Sequence, residues 1–191
     1  MFTTSNNQEL IYINGRGIVN NEVSSVTLSG EQIFSTRVPA ADIYEASVPP
    51  DEQWLALAYR EGGGNIGISV VPFEADGDSG RRLVSSSGRQ PQWSPDGSEI
   101  FYISEEDSDL MVARVVSTSP FATEPAGIIA QSVHHSIAAS PSYDIANDGQ
   151  RFLILREVGQ QNSDADLSRL DFVIVENWFE ELKRLAPPDP Q

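Results

Sequence analysis

The chain has 191 residues, of which 28 are acidic and 12 basic, for a formal net charge of −16; it has no cysteine, and 39% of it is hydrophobic. That length carries one core, or two small ones, without covalent staples. The charge excludes a nucleic-acid backbone as this segment's own ligand and disfavours anionic membrane surfaces, while the lack of cysteine excludes disulfide scaffolds, thiolate metal sites and cysteine nucleophiles.

The N-terminal stretch Met1–Leu10 is polar and lacks the basic residue and apolar run of a signal peptide. No window approaches the roughly 20 apolar residues of a spanning helix. As read, the chain is soluble and cytoplasmic, without membrane insertion. It would be extracytoplasmic as the sensor part of a longer, membrane-anchored protein.

Four turn signals follow along the chain, each leading into an apolar run. Ser5-Asn6-Asn7 precedes Leu10–Ile13, with almost no room before it for another strand. Pro49-Pro50-Asp51-Glu52 precedes Trp54–Tyr59, Ser94-Pro95-Asp96-Gly97 precedes Ile100–Ile103, and Ala146-Asn147-Asp148-Gly149 precedes Phe152–Leu155. Aligning Asn6, Asp51, Asp96 and Asp148 spaces the copies by 45, 45 and 52 residues. In the third copy Pro95 presets φ, Asp96 suits the next turn position, and Gly97 accepts the positive φ that closes the turn. Glu52 takes that conformation less easily, so the second copy is expected to turn differently. The runs are rich in Ile, Leu, Phe and Tyr, as strands buried between neighbouring sheets are.

The third copy reads as a whole four-stranded unit: Gln90–Trp93, Glu99–Ser104, Leu110–Val116 and Gly127–Ser132. Its loops are Glu105–Asp109, acidic and solvated, and Ser117–Ala126, with two prolines. Four antiparallel strands every 40–50 residues is the pattern of a β-propeller blade. A β-sandwich is the alternative, and the period decides for the propeller. The expected fold is therefore all-β, a β-propeller of about four 45-residue blades (1–41, 42–87, 88–135 and 136–176). A short C-terminal helix at 177–186 and a tail at 187–191 follow. Asn177 is its N-cap, Glu180 completes a capping box, and Pro187-Pro188 stops it.

At these residues the chain resembles the TolB-type, WD40-like propeller repeats of bacteria, whose hallmark is the Ser-Pro-Asp-Gly turn, intact here only at Ser94–Gly97. The last hundred residues are similar to the C-terminal propeller region of bacterial serine/threonine protein kinases and winged-helix regulators. That similarity rests on Leu110–Ser119 with Phe121 and Pro125, on Tyr143-Asp144-Ile145 leading to Asp148–Phe152, and most specifically on Val175–Leu185. The resemblance implies a propeller of about six or more blades, of which this chain would be the C-terminal part; a closed four-bladed ring is the alternative. It also implies a protein-interaction or sensor role.

No Gly-x-Ser-x-Gly elbow, kinase catalytic loop or phosphate loop is present; Glu61-Gly62-Gly63-Gly64-Asn65 lacks a following lysine and reads as a strand-to-strand loop. Asp76-Gly77-Asp78-Ser79-Gly80 lacks the later glutamate of a calcium loop and reads as a hairpin turn. Trp54 and Trp93 read as inter-blade packing. No catalytic residue, metal site or cofactor is expected. The loops entering each inner strand, at Tyr44, Arg89-Gln90 and His134-His135, are expected to line the channel mouth and bind a protein partner or a small ligand. The acidic charge favours a basic or neutral partner. A dimer through exposed propeller ends would cover unpaired strands. Two competing readings are a hydrolase or lyase with its site in the channel, and a truncated, non-functional fragment.

Overall fold

The computed structural model describes residues 2–4, 10–14, 21–38, 41–73, 80–133, 141–156 and 171–175. The first turn signal, residues 76–79, His134-His135, the helix expected at 177–186 and the tail lie outside them. All regular structure among the described residues is β, and none of it is a helix able to cross a membrane. The chain divides into two compact units, residues 1–132 and 133–191.

Three antiparallel meanders form the first unit. The first sheet runs β1 (Phe2–Thr4), β2 (Leu10–Asn14), β3 (Asn21–Val26) and β4 (Gln32–Val38). Phe2–Thr4 pairs with Leu10–Tyr12, so the inner strand for which the sequence left almost no room is present, three residues long. The second sheet runs β5 (Ala41–Ser47), β6 (Trp54–Glu61), β7 (Ile66–Pro72) and β8 (Arg82–Ser85). In the third, β9 (Arg89–Trp93), β10 (Glu99–Ile103) and β11 (Leu110–Thr118) follow in order. Two short strands, β12 (Phe121–Thr123) and β13 (Gly127–Ala130), then share the far edge of β11. The stretch 117–126, expected as a loop, is thus part strand, because Phe121 is buried against Trp54 and Trp93 rather than left in water. The second unit holds one sheet, β14 (Tyr143–Ile145), β15 (Phe152–Arg156) and β16 (Asp171–Val175).

Strand β6 shows why these sheets stack. Side chains of a strand alternate between its faces, and here both faces are buried. Leu55 and Leu57 enter the core shared with the first sheet, among Val23, Ile43, Val71 and Phe73. Ala56 and Ala58 face the third sheet, where Trp93, Ile100, Tyr102 and Phe121 supply the bulk. Small residues on one side accept large ones from the next sheet, as close packing requires. Each fully buried Leu or Ile contributes about 2 kcal/mol by removal from water.

The repeated turn closes in one way wherever it is described. The N–H of Glu52, Gly97 and Gly149 donates to the carbonyl of Pro49, Ser94 and Ala146 at 3.1, 2.9 and 2.8 Å. The carboxylates of Asp51, Asp96 and Asp148 each accept the N–H two residues on, at 3.2, 3.0 and 3.0 Å. Gly97 and Gly149 take φ of 73° and 67°, and Glu52 takes 54°. The second copy therefore does not turn differently, because the aspartate bond and the sheet on either side hold a glutamate in the left-handed region despite its steric cost. In the first unit, successive antiparallel meanders packed face to face, with the same turn between the first two strands of the second and third sheets, define a fold of the β-propeller type.

Candidate functional site

The chain enters β5 and β9 at the same end of the first unit, and both strands are bulged there. In β5 the pairing steps from Ile43 opposite Tyr59 to Glu45 opposite Ala58, leaving Tyr44 as the extra residue. In β9 it steps from Gln92 opposite Phe101 to Arg89 opposite Ile103, with the extra residue at Gln90 or Pro91. A bulge bends its strand and re-aims the side chains beside it. Two bulges one period apart turn Tyr44 and Arg89 toward each other.

The guanidinium of Arg89 lies 5.5 Å from the centre of the Tyr44 ring, and that of Arg60, from β6, lies 5.3 Å from it. Both are within cation–π range. Arg89 Nε donates to Glu105 Oε1, and the other oxygen of Glu105 accepts the Ile66 N–H at 3.2 Å. Arg60 Nη2 reaches Asp42 Oδ2 at 3.5 Å. Gln90 is buried with φ of 55°, which swings its N–H out of the ladder to Glu45 Oε2 at 2.7 Å. Further along the same two strands, Trp93 Nε1 donates to the Ser47 carbonyl at 3.2 Å. Carboxylates from one sheet thus hold main-chain donors of its neighbour, and charge-assisted bonds of this kind are the stronger ones.

The loop expected to be acidic and solvated contributes to this end instead. Glu105 is half-buried in its pairing with Arg89, and Asp109 is buried, accepting the Ser132 N–H at 3.0 Å. Only the middle, Glu106 and Asp107, faces water. The hairpin after β6 is closed by Gly64 N–H to the Glu61 carbonyl at 3.0 Å, with Gly62 and Gly63 at φ of 57° and 78°. Both central residues need that left-handed geometry, which explains the glycine run without a phosphate. Trp54 packs on Phe121 of the third sheet, with ring centres 4.8 Å apart, as an inter-sheet contact, while Trp93 meets Phe121 at 6.2 Å within its own sheet.

Tyr44, Arg89 and Gln90 therefore stand together, and His134-His135, one further period along, lie outside the described residues. Sequence reasoning passed over Arg60, Glu45 and Glu105. The period itself pointed to Glu45, which stands 45 residues before its partner Gln90. Nothing local marked Arg60, whose place depends on its register opposite Asp42. Among the described residues no group of three acids or histidines is arranged to hold a metal ion.

This architecture puts the chain among β-propeller-type proteins. No protein-family model and no curated protein sequence matches it. Solved structures do share the fold. The chain is similar to hydrazine synthase of Kuenenia stuttgartiensis (TM-score 0.57, 11% identity, 81% of this chain and 51% of that one). It is similar to a prolyl endopeptidase (0.51, 12%, 91% and 28%) and to the periplasmic gluconolactonase PpgL of Pseudomonas aeruginosa (0.50, 18%, 100% and 58%). The chain thus spans 51%, 28% and 58% of those three chains, and at such identities the likeness is one of fold.

Proposed function

We propose that this chain is a non-catalytic protein-interaction or sensor module of the TolB-like, Ser-Pro-Asp-Gly-repeat propeller type. It binds a protein or small ligand at the entry end of its inner strands, around Tyr44, Arg89 and Gln90. The observation that carries the reading is the convergence of Arg60 and Arg89 on the Tyr44 ring where two bulged strands meet. The carboxylates beside them are occupied, Glu105 by Arg89 and the Ile66 N–H and Glu45 by the Gln90 N–H, which supports binding over acid–base chemistry. The Val175–Leu185 stretch supports a place in the C-terminal propeller of a kinase or winged-helix regulator with about six or more blades.

Arg60 is the clean probe. Its side chain is 40% exposed and its ion pair spans 3.5 Å, so the pair is worth little to stability. Arg89 is tied to Glu105 and would confound folding with binding. In affinity capture from source-cell extract, Arg60→Glu loses partners that the unaltered chain retains, with no change in melting temperature. Unaltered capture refutes the site. The gluconolactonase likeness makes sugar-lactone hydrolysis the second assay. Turnover by the purified chain, lost in Glu105→Gln, would replace the binding reading with the hydrolase one.

A further inference from the structure

Resting on that reading of the entry end, we infer that the Arg60–Tyr44–Arg89 group is a receptor for a carboxylate borne on an otherwise uncharged body. Arg89 uses Nε alone for Glu105, and its terminal NH2 groups have no hydrogen-bond partner among the described residues. Arg60 commits one nitrogen to Asp42, at the limit of hydrogen-bond length, and its other donors are likewise unengaged among the described residues. Both guanidinium carbons lie within 5.5 Å of one ring centre, so they are at most about 11 Å apart. A guanidinium held on an aromatic face presents its N–H fork sideways, the geometry that takes a carboxylate in two parallel bonds.

Charge selects among anions. Asp42 and Glu105 offset the two arginines, and Glu45, adjacent to Tyr44 and held by the Gln90 N–H, is a third acid beside them. The remaining negative charge of the chain is screened beyond about 8 Å at physiological salt. A singly charged carboxylate that bonds the open arginine N–H groups is repelled less by Asp42, Glu45 and Glu105 than the doubly charged form of phosphate. The site already holds a carboxylate of its own, Glu105, against Arg89.

The test is a titration of the whole chain, followed through the arginine Nε–H signals in NMR. The probes are acetate, an N-acetylated dipeptide with a free C-terminus, the same dipeptide as its amide, and inorganic phosphate. Both carboxylates are expected to shift the Arg60 and Arg89 signals saturably, with weaker effects from phosphate and none from the amide. A peptide that binds more tightly than acetate assigns the carboxylate to a protein partner, and the reverse order assigns it to a small molecule. Arg60→Ala is expected to weaken binding by about tenfold or more, the loss of one bidentate pair. Arg114→Ala, at an exposed position of β11, leaves it unchanged. Absence of saturable shifts, an equal response to the amide, or undiminished affinity in Arg60→Ala overturns the inference. If the carboxylates fail while Arg60→Glu still loses its partners, the binding site stands and the carboxylate inference alone falls.

Discussion

Asp96 offers a measurement of how much the repeated turn contributes. Its Oδ1 accepts the Ser94 and Ser98 hydroxyls, each at 2.7 Å, and the Ser98 N–H at 3.0 Å. These bonds, the Ser94 hydroxyl first, hold its carboxyl at about 2, below its ordinary 3.8. At 1.36 kcal/mol per unit that difference corresponds to roughly 2 kcal/mol of folding free energy. The turn is exposed, and solvent screening reduces the figure to about 1 kcal/mol. A depressed folded value means the contribution is complete above the unfolded value and is lost as pH falls from about 4 toward 2. Asp96→Asn keeps an acceptor and removes the charge. At neutral pH it is expected to lower stability by about 1 kcal/mol, a shift of roughly 2–4 °C for a chain of this size. The assay is urea unfolding of both proteins at several pH values from about 7 down to 2, and the gap should close toward the acid end. A gap that persists unchanged at pH 2, or no gap at pH 7, refutes the argument.

Two further predictions test the repeat and its packing. Glu52→Gly removes a side chain from the left-handed region (φ 54°) and is expected to raise the urea midpoint by the equivalent of about 1 kcal/mol; no gain would mean that the contacts of Glu52 offset its strain. Phe121→Ala empties the space between Trp54 and Trp93, and a loss of about 3–5 kcal/mol is expected in the same assay, whereas a loss under 1 kcal/mol would remove β12 from the core.

Much of the fold was legible because the turn chemistry is local. Pro95, Asp96 and Gly97 specify their own backbone, and the apolar run after them specifies a strand, so the 45-residue period could be found without any contact between copies. Glu52 shows where that reasoning stops. A glutamate carries no signal for positive φ, yet the Asp51 bond and the strands on either side impose it. Phe121 shows the same limit from the other side. Between Pro120 and Pro125 it reads as loop, and only the gap left by Ala56 and Ala58 in the neighbouring sheet makes it core.

The site divides along the same line. By itself the sequence determined which positions recur: Tyr44 and Arg89 stand one period apart, at the entry of consecutive inner strands. It could not determine that both strands bulge there, because a bulge is a mismatch in pairing between strands and no single strand encodes it. Nor could it determine that Arg60 and Glu105, from β6 and the loop after β10, complete the group, since register and sheet stacking set those distances. Local chemistry decided the repeat, and the packing of one sheet on the next decided what the repeat brings together.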